Sequence, residues 1–186
     1  MTALTLDDLI LDRSAYGERR ADERARMIAL RRDRRVQLGE SLALEFETPE
    51  TLRYQVQEMV YVEGISDAAQ AQSEIDTYTR LLPDDTSFVA TMLVELEDQS
   101  TVRTHLQRWR GLQHHIALDV NGQRATAEEI PGPAQTRPSD VTESVHFLRF
   151  RLTSEQREAV RSGTGSARVV ADHPEYHASA PLPTGL

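Results

Sequence analysis

The sequence predicts an α+β fold: one mainly antiparallel sheet with packed helices and an N-terminal helical segment. Three observations carry this. Short stretches alternate apolar and polar residues, as Leu42, Leu44 and Phe46 do with Ala43, Glu45 and Glu47, which is the period of a half-buried strand. Asn121-Gly122 separates two such stretches and signals a tight hairpin, hence antiparallel pairing. Helix starts with explicit caps stand between the strands, at Thr48-Pro49 and at Thr153-Ser154-Glu155-Gln156.

In chain order, residues 5–11 form a short helical or docking segment with Leu6, Leu9 and Ile10 apolar. Asp12 caps a helix expected from Ser14 to about Leu38, with Ala21, Ala25 and Ile28 on one stripe and Gly39 as its stop. Its second half is dense in Arg: Arg24, Arg26, Arg31, Arg32, Arg34 and Arg35. That face reads either as a solvated surface pairing with nearby acids or as an anion or partner site. After the strand at Leu42–Phe46, Thr48 caps a helix whose first turn holds Pro49 and Glu50. Leu52, Val56, Met59 and Val60 share its apolar stripe; Gln55 and Glu58 fall on the neighbouring stripe, with Tyr54 and Tyr61 adjoining.

A second helix is expected from Asp67 to about Arg80, capped by Ser66, with Ala71, Ile75 and Tyr78 at helical spacing and a Leu82-Pro83 stop. Ser87 to Glu97 reads as a strand, and Asp98 as the cap of a helix carrying Val102, Leu106 and Trp109. His115 to Val120 and Gln123 to Ala127 flank the hairpin turn. Residues 131–140 are a Pro-rich loop, too short to require a domain boundary. Val141 to Leu152 is a long strand with His146, Leu148, Phe150 and Leu152 on one face and Val145, Phe147, Arg149 and Arg151 on the other. A capped helix runs to Gly163, and Arg168 to Ala171 and Tyr176 to Ala180 complete the strands. One α+β domain over residues 1–186, with residues 1–40 as its N-terminal helical segment, follows.

The composition bounds the chemistry. The absence of Cys excludes disulfides, a thiolate nucleophile and Cys-ligated metal. All 21 basic residues are Arg, so Schiff-base and P-loop lysine chemistry are excluded. A net charge of -9 disfavours general nucleic-acid or anionic-membrane binding. No apolar run approaches a membrane span, and no basic stretch followed by an apolar one marks a signal peptide. The expectation is a cytoplasmic protein that binds neither nucleic acid nor membrane, with room for a homo-oligomer.

Several segments resemble, in order, a bacterial family of unknown function, DUF3501. They are Arg34-Arg35-Val36-Gln37-Leu38-Gly39, Tyr54-Gln55-Val56-Gln57-Glu58-Met59, Tyr78 with Leu81-Leu82-Pro83-Asp84, and Ala90-Thr91 with Glu97-Asp98. His146-Phe147-Leu148-Arg149-Phe150 and His173-Pro174-Glu175-Tyr176 complete the set. Gln99-Ser100-Thr101-Val102 is less charged than the resemblance implies, and Leu186 falls where it implies a further acidic helix. The resemblance implies no activity. Its association with rubrerythrin-like and iron–sulfur proteins implies a redox-protein partner.

Of the six His, none forms a His-Glu-x-x-His helix motif. His146, on the apolar face of its strand, reads either as a hydrogen-bonded core residue or as a ligand or acid–base group. Glu58 is the partner expected for it: a mixed Glu58/His146 shell suits iron, manganese or zinc. The competing reading pairs Glu58 with an Arg such as Arg34, Arg35 or Arg149. Tyr54, Gln55, Arg34 and Arg35 complete the expected ligand-binding set. No Gly-rich phosphate loop or nucleophile elbow accompanies them, so no reaction follows. The sequence thus supports a metal- or small-ligand-binding protein with a Glu/His pocket, linked to redox chemistry. The alternative is a noncatalytic module docking a redox partner through its Arg-rich helix.

Overall fold

The computed structural model describes residues 4–96, 98, 100–131, 142–183 and 186, and the α+β expectation holds. A 3-10 turn at Leu6–Asp8 leads to helix α1, Arg13–Arg32. Asp12 caps it by accepting the Ser14 and Ala15 amides at 2.9 and 3.1 Å. The helix ends a turn and a half earlier than its sequence suggests, because Arg35–Leu38 is strand β1. Val36 and Leu38, two apart with Arg35 and Gln37 between, follow the strand period, and they pair with Leu44 and Leu42 of strand β2, Leu42–Phe46. Gly39 is therefore not a helix stop but part of the β1–β2 turn, with a left-handed φ of 73°.

Helix α2, Pro49–Glu63, starts at Thr48 as expected, and its C-cap is Gly64 at φ 69°. Helix α3, Ala68–Thr79, is capped by Asp67 rather than Ser66. Strand β3 is Ser87–Val94. Helix α4, Val102–Arg108, has Thr101 as its N-cap, and Asp98 instead builds the turn before it, accepting the Ser100 amide at 2.9 Å. Strands β4, Ile116–Val120, and β5, Gln123–Ile130, flank Asn121-Gly122, whose φ values of 53° and 83° give a two-residue hairpin turn with the twist such strands need. Strand β6 is Val145–Arg151, and helix α5, Ser154–Ser162, carries the Thr153/Gln156 capping box. Strands β7, Ala167–His173, and β8, Tyr176–Pro181, close the order. Apart from Pro131, the Pro-rich loop lies outside the described residues.

The eight strands pair antiparallel in the order β1-β2-β3-β6-β5-β4-β7-β8. Strand β5 turns the corner: Gln123–Thr126 pair with β4, whereas Ala127–Ile130 pair with β6. The edges β1 and β8 are brought together by Tyr176, whose hydroxyl donates to the Leu38 carbonyl at 2.6 Å and accepts the Ser41 amide at 3.3 Å. The sheet is thus a nearly closed barrel. Leu38, Leu42, Leu44, Phe46, Met92, Leu118, Leu148, Phe150 and Val169 fill its interior, and each such side chain contributes about 1.5–3 kcal/mol by leaving water. Trp109 and Leu112 extend this core at one mouth.

A second core lies outside the barrel. Leu52, Val56 and Val60 of α2 and Ala71, Ile75 and Tyr78 of α3 pack with Phe147 and Ile130 on the outer face of the sheet. Two clamps hold this helical layer. Gln57 is only 2% exposed, and its amide exchanges two hydrogen bonds with the Ile10 backbone, at 2.7 and 3.0 Å, which ties the N-terminal segment to α2. Arg149 donates to the Arg80 and Leu82 carbonyls at 2.9 and 3.1 Å and to Ser87 at 2.8 Å, which fixes the chain leaving α3. Among the described residues no helix is long and apolar enough to cross a membrane.

Candidate functional site

The period of two sends Glu45, Glu47, Thr91, Leu93, Val145 and Phe147 to the outer face of β2, β3 and β6. The register sets Glu45 beside Thr91 and Thr91 beside Phe147 in one cross-strand row, with Leu93 and Val145 paired in the next. These side chains floor a cavity of about 270 Å³. Leu52 and Gln55 of α2 and Tyr78 of α3 form its roof, and Arg31, at the end of α1, closes one side.

Glu47 is the most elaborately held of these groups. It stands between the end of β2 and the N-cap of α2, and its amide still bonds to Val89 of β3 at 2.8 Å. One carboxylate oxygen accepts the Thr91 hydroxyl at 2.6 Å, and the other accepts the Thr51 hydroxyl. Thr51 is itself fixed by the cap, accepting the Thr48 amide at 2.9 Å. Glu47 makes no ion pair among the described residues. Glu45, by contrast, is paired twice, with Arg35 at 2.7 Å and Arg31 at 3.3 Å. Overhead, burial pushes the Tyr78 phenol above its usual range, and a hydrogen bond from Gln55 partly offsets this.

Of the expected ligand-binding residues, Gln55 alone lines this cavity. Arg35 stands behind its wall, bracing Glu45 and reaching Glu95 at 2.6 Å. Arg34 lines a separate open groove with Arg26, Arg53 and Thr48. Tyr54 is half-buried, and its phenol is pushed up by burial first and by the nearby Glu58 charge second.

The shared Glu58/His146 pocket expected from the sequence is not formed. Glu58 faces α1: Arg20 grips both its oxygens at 2.8 to 3.1 Å, and the Tyr16 hydroxyl donates to it at 2.8 Å. The Arg20 bonds, then the Tyr16 bond, hold its carboxyl below the usual carboxylate range against the opposing effect of burial. His146 points the other way, to the barrel side of β6 with Leu148 and Phe150, and is 2% exposed. Its Nδ1 meets Glu129 at 2.7 Å, and its Nε2 meets the Thr142 hydroxyl at 2.8 Å and the Glu143 carbonyl at 3.0 Å. The two side chains therefore lie on opposite faces of the sheet. An Arg does pair with Glu58, but it is Arg20, not Arg34, Arg35 or Arg149. Among the described residues no three His, Asp or Glu side chains are arranged to hold a metal ion.

Half of the Arg-rich set, namely Arg26, Arg31 and Arg35, is ion-paired among the described residues. Besides Arg20, Arg31 and Arg35, Arg26 pairs with Glu23 at 2.9 Å and with Glu50. Sequence reasoning also missed that all six His gather at one end of the barrel. They sit in α4, in the 3-10 turn Leu112–His115, and at the adjoining ends of β6, β7 and β8. No local spacing announces this, because strand order brings them together. Glu47 did leave a trace: an outward-facing acid just before a helix cap.

Fold and cavity together define a barrel protein with a helical layer and a pocket enclosed between the two. The family model of proteins of unknown function DUF3501 matches residues 3–186, and the chain belongs to that family. It is also similar to the crystal structure of a novel protein of unknown function from Burkholderia pseudomallei K96243. The TM-score is 0.86 and the identity 33%, over 97% of this chain and 93% of that one. No curated protein matches the chain.

Proposed function

We propose that this protein binds a small molecule in the cavity between the sheet and helices α2 and α3. The observation that carries this reading is a pocket of about 270 Å³ whose lining combines apolar side chains with a few fixed polar groups. Small-ligand sites have this character, and their volumes begin at about 300 Å³. Apolar area comes from Leu52, Leu93, Val145 and Phe147, whereas Glu47, Gln55, Thr91 and Tyr78 supply directed hydrogen bonding. The polar groups are positioned by secondary structure: strand register for Thr91, the helix cap for Glu47, and the α2–α3 packing for Gln55 and Tyr78. The Thr91 hydroxyl donates to Glu47 with no third group orienting the pair as in a catalytic triad among the described residues, and the reading is one of binding.

Val145 provides the test. It lines the cavity, yet it is 39% exposed, so a larger side chain there obstructs the pocket without overpacking a core. Ligand-observed NMR with a library of small polar fragments compares wild type with Val145→Phe. Fragments that bind wild type and not the variant, at unchanged melting temperature, are the expected result. A library in which no fragment distinguishes the two proteins overturns the reading.

A further inference from the structure

We infer that the ligand of this cavity is a small organic cation, a primary ammonium, amidinium or guanidinium on a short apolar body, with Glu47 as its anchor. The inference rests on the binding reading above and deepens it. Three charged side chains line the cavity: Arg31, Glu45 and Glu47. Arg31 is engaged by Glu45, and Glu45 is further engaged by Arg35 from behind. Both guanidinium contacts, from Arg31 in the lining and Arg35 behind it, go to Glu45, and neither goes to Glu47.

The bonding of Glu47 shows what it still lacks. A carboxylate offers about four acceptor positions. Glu47 gives one oxygen to Thr91 and the other to Thr51, both neutral hydroxyls. Those bonds fix its orientation, and among the described residues no cation forms an ion pair with it. A half-buried carboxylate is ordinarily matched by a cation, since hydroxyls alone recover only part of its lost hydration. A ligand bringing N–H donors with a positive charge offers this carboxylate both further hydrogen bonds and an opposite charge. The apolar side of the cavity, formed by Leu52, Leu93, Val145 and Phe147, suits a hydrocarbon body of matching size. An anionic ligand meets the opposite situation, with Glu47 repelling it and Arg31 already paired.

Three probes of equal length and different charge test this: n-butylammonium, n-butanol and butyrate. Their binding to the full chain is measured by ligand-observed NMR titration, with wild type, Glu47→Gln and Val145→Phe. The expected result is that n-butylammonium binds wild type at least tenfold tighter than n-butanol, loses that advantage in Glu47→Gln, and is excluded by Val145→Phe. Equal binding of the amine and the alcohol, with both excluded by Val145→Phe, overturns the cation inference and leaves the cavity reading standing. Preferential binding of butyrate also overturns the cation inference. Failure of all three probes to bind, or binding that ignores Val145→Phe, overturns both. The amine–alcohol comparison in wild type decides the inference even if Glu47→Gln does not fold.

Discussion

Replacing Gln57 with Leu isolates the clamp between the N-terminal segment and α2. The substitution nearly preserves volume and helix propensity, so the loss is confined to polar bonding. Gln57 makes two bonds to Ile10, at 2.7 and 3.0 Å, in a position only 2% exposed. At about 0.5–1.5 kcal/mol each, their removal costs about 1–3 kcal/mol. Leaving the Ile10 amide and carbonyl dry adds about 1–3 kcal/mol per group, so the segment is expected to lift off toward water instead. Lifting sacrifices the packing of Leu6, Leu9 and Leu11 on the outer core, which keeps the net loss near 2–3 kcal/mol. For a chain of this size that is a fall of about 4–12 °C in melting temperature. Gln57→Glu is expected to be at least as damaging, because it keeps the acceptor for the Ile10 amide but sets a carboxylate oxygen against the Ile10 carbonyl. Urea unfolding gives the global loss, and amide hydrogen exchange at Ile10 reports the local release. A Gln57→Leu protein within about 0.5 kcal/mol of wild type, with Ile10 exchange unchanged, refutes the clamp.

Three further outcomes are expected. Arg149→Met removes the donors that hold the Arg80 and Leu82 carbonyls and breaks an ion pair with the one-third-exposed Asp84; chemical denaturation should show a loss of about 2–4 kcal/mol, most of it from the freed carbonyls. Gly39→Ala places a methyl group against the Tyr176 hydroxyl at a φ of 73°, and calorimetry should show a loss of at least about 1 kcal/mol as the β1–β8 seam opens. Glu58 titrates below its ordinary 4.5 in the fold, so its stabilising contribution is complete above that pH and is lost as pH falls from there through the folded value. Glu58→Gln should therefore flatten the acid limb of the stability–pH curve, and an unchanged limb in pH-jump unfolding would show that the Arg20–Glu58–Tyr16 contact contributes nothing there.

The local signals held at some sites and failed at others: Ser66 and Asp98 are not the caps of α3 and α4, and Gly39 ends no helix. Asp12, Thr48 and Thr153 cap the helices they precede, since a cap is a bond between residues two or three apart. Asn121-Gly122 turns because its backbone tolerates the positive φ the strands require. Alternation separated Leu42, Leu44 and Phe46 from Glu45 and Glu47, and His146, Leu148 and Phe150 from Phe147 and Arg149, and the sheet keeps both divisions; that Glu45 and Phe147 share a face comes from the register.

Sequence alone thus determined the α+β class, most of the elements and the two faces of strands β2 and β6. Tertiary structure decided what covers each face. Val36 and Leu38 alternate with Arg35 and Gln37 as a strand does, but four residues are too few to end the preceding helical pattern, and pairing with β2 is what makes them β1. Glu58 and His146 are complementary in chemistry, but the helix lies outside the sheet and the histidine inside the barrel. Their real partners, Arg20 and Glu129, stand 38 and 17 residues away in the chain. The cavity beside Glu47 has the same origin. Periodicity names the residues that share a surface, but the gap above that surface depends on where α2, α3 and the end of α1 come to rest.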